Sequence, residues 1–332
     1  MSNDPNNNQV YGSSDGGLAG TLAAAADFSL LVGPSTADEY NTARLRLIPI
    51  ACWRVDDVRF AFDSSFVTPD ITGELQLLAR LREQNKNAAG LYPPLSVFGH
   101  ADPVGTDDYN KALSGRRANA VYAILISNSD ASAAAGIWQT ISATENWGDS
   151  QNNIMLTITG LPAGTSGTQL FQAYMQKLYP AELKLTRQDF LAQGADTGGK
   201  GDVQGCSEFN PVLIFSQSDA ARYDQAAQDN NQDMLAERNA ANASNRRVVV
   251  LLFRPGSQVI PTKWPCPRTG EGVAGCHLRF WSNGEERRSK QLPDARRYEK
   301  TKDTFACRFY DRISSQSPCD QHITMEDYPF SL

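Results

Sequence analysis

The stretch from Arg247 to Phe253 reads RVVVLLF, six apolar residues in a row, and it stops at Pro255-Gly256. β-Branched and bulky residues in so dense a run make a strong strand, and seven residues fall far short of the ~20 needed to cross a bilayer. A strand of this kind closes a globular core, so the rest of the chain must supply the layers that cover it.

Composition permits such a core. Of 332 residues, 41% are hydrophobic and 20% charged, too apolar a mixture for a disordered chain. The length suits two domains, or one domain with a large insertion. The net charge of −6 comes with no basic stripe. A binder of nucleic-acid phosphates or a polybasic membrane anchor needs one, so neither partner is expected. No run reaches ~18 apolar residues, so no membrane insertion is expected. Residues 1–17, rich in Asn, Ser and Gly, read as a flexible leader. The apolar stretch 18–33 is broken by Asp27 and has no Lys or Arg before it, so no signal peptide is recognised.

Strands and helices alternate along the first half. Leu45 to Ala51 reads as a strand that Pro49 confines to a sheet edge, and residues 56–62 read as another. Behind Pro69-Asp70, the spacing of Ile71, Leu75, Leu78 and Leu81 predicts a helix over 69–85. Leu95 to Gly99 is a short strand, and residues 109–127 form a helix with Leu113, Val121 and Leu125 on one face. With strand 247–253, this predicts an α/β (α+β two-layer) fold, a mixed sheet with helices on one side. Further on, Ile154, Leu156 and Ile158 alternate and predict a strand over 154–161. Residues 170–178, 187–191 and 220–243 read as helical, 194–205 as a Gly-rich loop, and 211–215 as a buried strand.

Four of the six cysteines, Cys266, Cys276, Cys307 and Cys319, lie in an aromatic-rich and basic C-terminal stretch, whereas Cys52 and Cys206 stand apart. Their spacing is not that of paired zinc knuckles, although His277 and His322 sit beside Cys276 and Cys319. Disulfides, thiols and a Cys/His metal site all fit the spacing. Only three histidines are present, which speaks against a His-rich zinc peptidase. The Trp, Arg and Tyr density of this stretch suits either a protein interface or a small aromatic core.

The chemistry-bearing constellation runs Gly99-His100-Ala101-Asp102, then Asn110, Leu113-Ser114 and Arg117-Ala118, with Asn245-Arg246-Arg247-Val248 far downstream. Phe62-Asp63-Ser64-Ser65 opens it. These ordered motifs resemble the OmpA-like peptidoglycan-binding domain shared by Pal lipoproteins, OmpA C-terminal domains and flagellar stator proteins. That family carries a Gly-His-Thr-Asp loop, a Leu-Ser-x-x-Arg-Ala helix and an Asn-Arg-Arg-Val closing strand. The resemblance implies a non-catalytic module, with no cofactor, that grips the diaminopimelate end of a peptidoglycan stem peptide. That end is a zwitterion. Asp102 would accept from its ammonium and Arg117 would make a two-point contact with its carboxylate, which a Lys could not. Asn110 and Ser65 would add hydrogen bonds, and Asn245 and Arg246 would flank the pocket. On the residues alone, Asp102 could simply cap the following turn and Arg117 could pair with it at the surface.

Two departures mark this chain. Ala101 stands where the family has Thr, and 142 residues separate Asp102 from Asn245. The expected organisation is a leader and N-terminal segment (1–44), an OmpA-like domain (45–256; core 55–127 and 242–254, insertion 128–241) and a Cys-rich extension (257–332). The insertion and extension would serve protein partners. The alternative role is a structural or adaptor component of an envelope-spanning or contractile secretion system, with a vestigial ligand site. The resemblance implies the cell envelope or periplasm; with no signal peptide recognised, the expected route is a dedicated secretion machine, with the cytoplasm as the other placement. In an oxidising compartment the simplest bridges would be Cys266–Cys276 and Cys307–Cys319. Gly194 to Lys200 imitates a phosphate loop, but Gly201 stands where Ser or Thr would bind magnesium, so nucleotide binding is rejected.

Overall fold

The computed structural model describes residues 47–61, 63–196, 200–213, 215, 217–277, 280–281, 306–307, 309–310 and 313. The expected leader, Phe62, Cys319 and His322 lie outside the described residues. A four-stranded sheet carries β1 (Pro49–Asp56), β2 (Leu95–His100), β3 (Val203–Gly205) and β4 (Arg247–Phe253) in the order β1-β4-β2-β3. The apolar strand β4 is central, antiparallel to β1 (Asp56 opposite Arg247) and to β2 (His100 opposite Arg247). The β2–β3 pair is parallel, so the sheet is mixed. Pro49 opens β1, an edge strand, as a residue without a backbone donor should.

All seven residues of β4 are buried, because both faces of the sheet are covered. Val248, Val250 and Leu252 join a core with Leu75 and Leu78 of α1 (Thr72–Gln84) and Val121 and Leu125 of α2 (Asp107–Ile126). Val249, Leu251 and Phe253 join a second cluster with Trp264, Tyr310 and Ile313 from the C-terminal stretch. The fold is the expected two-layer α/β arrangement. Between α2 and β4 lie α3 (Ala131–Glu145), α4 (Asp149–Thr159), α5 (Gly167–Leu178), α6 (Gln217–Gln228) and α7 (Gln232–Ala241). Trp138 of α3 and Tyr174 of α5 extend the α2 core, and the Trp138 indole donates to the Ala120 carbonyl at 3.0 Å. After β4 come α8 (Ala274–His277) and a two-stranded pair, β5 (Phe280–Trp281) with β6 (Ala306–Cys307).

The sheet touches α2 through glycine. A Cβ on Gly99 would stand 1.9 Å from the Ser114 carbonyl oxygen, so only a bare backbone lets β2 and α2 approach this closely. The buried Lys111 ammonium donates to the carbonyls of Gly205 (2.6 Å) and Pro267 (3.2 Å), tying α2 to β3 and to the stretch beyond β4.

Four expectations are corrected. Residues 57–61 are not part of a strand: the chain leaves the sheet after Asp56, makes a 3₁₀ turn at Asp57–Arg59, and Phe60 forms an isolated bridge to Val67. The alternation at Ile154–Ile158 belongs to helix α4, which Gly160 ends at φ 72°. Residues 211–213 form no strand, because the Asn245 side chain takes up their backbone groups. Cys266, Cys276 and Cys307 are thiols and not the bridges expected of them, since a 3₁₀ turn (Thr269–Glu271) and α8 fold the stretch from Cys266 to Cys276.

Candidate functional site

The site forms where the loop after β2, the middle of α2, the turn after β1 and the start of β4 meet. Asp102 opens the loop. Its Oδ1 accepts the Val104 N–H (2.9 Å), turning the chain toward Gly105, which sits at φ 110°. Thr106 then caps α2 by accepting from the Tyr109 N–H. Asn110, buried on the first turn of α2, donates to the Asp102 carbonyl at 3.0 Å, so it holds the loop against the helix.

Arg117 lies almost wholly buried, its guanidinium 5.0 Å above the Phe60 ring. Its Nε donates to the Ser64 carbonyl (3.0 Å) and its Nη1 to Asp57 Oδ1 (2.9 Å). Arg246 donates to Asp57 Oδ2 (2.7 Å), to Asp102 Oδ2 (2.5 Å) and to the Asn239 carbonyl (2.9 Å). The four side chains therefore form a line of alternating charge, Arg117–Asp57–Arg246–Asp102, with formal charge zero. Burial pulls the Arg117 guanidinium below the usual arginine range, with Asp57 opposing it. Burial also acts on Arg246, but the two carboxylates outweigh it and push that side chain up. Three exposed apolar side chains adjoin the line: Val58 next to Asp57, Val104 above Asp102, and Tyr109, whose hydroxyl donates to Asp63.

Each residue expected in the site has a definite place. Asp102 caps its turn and also faces a guanidinium, but that guanidinium is Arg246, and Arg117 pairs with Asp57. Ser65 is fully buried, and both its hydroxyl (2.7 Å) and its N–H (2.8 Å) donate to Glu145 of α3. Asn245 is buried and braces residues 212–213. Asp57 and Glu145 did not stand out in the sequence. Glu145 accepts from Ser64, Ser65, Arg116 and Trp147, and these bonds overcome the burial that would raise it and hold it below the usual carboxylate range.

Elsewhere, Asp196 fills the imitation phosphate loop with its own carboxylate, which accepts from the N–H groups of Lys200, Gly201 and Asp202. Among the described residues no group of three or more His, Cys, Asp or Glu is placed to hold a metal ion, and no helix is long and apolar enough to cross a membrane.

Residues 59–157 match the model of the OmpA family. Outer membrane porin F of Pseudomonas aeruginosa is 44% identical over 72 residues, which are 21% of this chain and 19% of that protein. Outer membrane porin F of Pseudomonas fluorescens is 40% identical over 72 residues, 21% of this chain and 20% of that protein. The chain thus spans about a fifth of the length of the curated relatives it matches. No solved structure matches it. The chain carries an OmpA-family domain at residues 59–157. Asp102, Asn110 and Arg117 fall inside that match, whereas Asp57, Asn245 and Arg246 are added by the folded chain on either side.

Proposed function

We propose that this chain is a non-catalytic peptidoglycan-binding protein of the cell envelope. OmpA-family domains are typically binding modules, and the relatives are outer membrane proteins by name. The observation that carries the reading is the charge-balanced line of Asp57, Asp102, Arg117 and Arg246. A zwitterion enters such a line by exchange. The ammonium of a diaminopimelate end takes the place of Arg246 on Asp102, and its carboxylate takes the guanidinium so released together with Arg117. No charge is left unpaired on either side. Asn110 keeps the loop in place, and Ser65 and Asn245 hold the walls. Stem peptides ending in a side chain without the zwitterion lack the second half of this exchange and bind more weakly.

Retention on purified sacculi tests the reading. Asp102→Ala and Arg117→Ala should each abolish retention in a folded variant, and the parent should release no soluble muropeptides. Parent-like retention by both variants would overturn the assignment. A second reading rests on the short Asp102–Arg246 contact: if that pair stays closed, the site is vestigial and the chain is an adaptor that reaches protein partners through residues 128–241 and 257–332. Failure of the parent itself to bind sacculi would favour it.

A further inference from the structure

Glu145, the last residue of α3, sets its carboxylate against the turn that Phe60 and Val67 close. Its side chain is 7% exposed, and five groups donate to it. Oε1 accepts from the Ser65 hydroxyl (2.7 Å) and Arg116 Nε (2.7 Å). Oε2 accepts from the Ser64 hydroxyl (2.9 Å), the Ser65 N–H (2.8 Å) and Trp147 Nε1 (2.9 Å). Among side chains only an ionised carboxylate offers this many acceptors and no donor. Trp147 also meets Phe66 and Trp138 edge-on at 5.2 and 5.4 Å, so polar and apolar contacts grip the same corner.

The gripped turn supplies much of what surrounds Arg117. Its Ser64 carbonyl takes the Arg117 Nε at 3.0 Å, and the guanidinium lies 5.0 Å over the Phe60 ring. Asp57, just before the turn, takes Nη1 at 2.9 Å. Nη2 makes no hydrogen bond among the described residues. A guanidinium is planar with its donors in fixed relation, so committing Nε and Nη1 decides where Nη2 points.

We propose that Glu145 is a positioning residue for the ligand site: by clamping the Ser64–Ser65 turn it fixes the Ser64 carbonyl and, through it, the Nη2 edge that Arg117 presents to the diaminopimelate carboxylate. The ligand half of this rests on the peptidoglycan-binding reading above. Glu145 acts through Arg117 and not by contact with the peptide. Without its carboxylate, the N–H and hydroxyl of the fully buried Ser65 lose their acceptor. A buried donor left unpaired is costly, so the turn shifts to find another partner and carries the Ser64 carbonyl with it. Helix α3 thereby governs the fit of a site to which it contributes no ligand contact.

Two variants of the full chain test this, each measured well below its thermal midpoint. Glu145→Gln keeps the volume but sets an amide donor against groups that donate. Ile141→Ala, a buried core position one turn earlier in α3, removes stability without touching the Ser64–Ser65 turn. In calorimetric titration with a synthetic stem peptide ending in diaminopimelate, Glu145→Gln should bind about tenfold more weakly than the parent, the weight of one hydrogen bond to a charged group. Ile141→Ala should bind like the parent. NMR gives a readout that needs no ligand: the Arg117 Nε–H proton should exchange with water about tenfold faster in Glu145→Gln, the mark of a local opening, and at the parental rate in Ile141→Ala. Parental exchange or parental affinity in Glu145→Gln, or an equal loss of affinity in Ile141→Ala, would overturn the proposal. A parent that binds no peptide overturns the peptidoglycan reading instead, and the Nε–H exchange then still decides whether Glu145 positions Arg117.

Discussion

Replacing Asp57 tests the charge line where it is most exposed to calculation. Arg117 keeps only 3% of its side chain exposed, and Asp57 is its one carboxylate partner among the described residues. In Asp57→Ala the guanidinium would retain the Ser64 carbonyl and the face of Phe60 and no counter-charge. Breaking one side of a buried pair costs about 3–5 kcal/mol. The Asp57 side chain is 24% exposed, so water reaches the gap, and Arg246 still has Asp102. We therefore expect a loss of about 2–3 kcal/mol, which in a domain of this size lowers the thermal midpoint by roughly 5–10 °C. Asp57→Asn, which keeps an acceptor, should cost about half as much. Adding Arg117→Met to Asp57→Ala removes the stranded charge and should recover part of the loss. Urea and thermal unfolding of the three variants give the numbers. If Asp57→Ala stays within about 0.5 kcal/mol of the parent, or if Arg117→Met deepens the loss, the pairing carries no such energy and the reasoning fails.

Two further outcomes follow from the fold. Gly99→Ala pushes a methyl group into the Ser114 carbonyl and should cost about 3 kcal/mol or prevent folding; a variant of parental urea midpoint would show that β2 and α2 can separate. Burial pushes the Asp202 carboxyl from its ordinary 3.8 up to about 8, and Glu208 is pushed in the same direction. An acid whose pKa rises on folding contributes fully below about pH 4 and loses that contribution as the pH climbs toward 8, so the parent should be less stable at pH 8 than at pH 5. Asp202→Asn should shrink that difference, and an unchanged difference would remove Asp202 as its cause.

Much of the fold was legible because the elements that build it have strong periods. The β4 run, the three- and four-residue spacing in α1 and the motif-bearing α2 are each long enough to show which face is buried. The misread elements had weaker signals. Ile154, Leu156 and Ile158 alternate over only three positions, and in α4 only Met155 between them is fully buried, so the alternation reflected no sheet. The three residues of β3 are too few for any period, and they sit inside what reads as a Gly-rich loop. Residues 211–213 are apolar like a strand, yet their hydrogen bonds go to a side chain.

The site divides along the same line. Residues that neighbour one another in a motif, such as Asp102, Asn110 and Arg117, could be read from order and type. Asp57 could not, because it belongs to no motif and stands 60 positions from Arg117, and Arg246, read as a residue flanking the pocket, meets Asp57 and Asp102 only when β1 and β4 pair. The Asp56–Arg247 register brings the neighbouring Asp57 and Arg246 into contact, so the strand pairing that closes the sheet also completes the charge line. This explains why a long stretch can intervene between α2 and β4 without dismantling the site. Helices α3 and α5 lean on α2, and Glu145 at the end of α3 bonds to Ser64 and Ser65 directly beside the carbonyl that Arg117 needs. The intervening segment braces the loop it could have displaced.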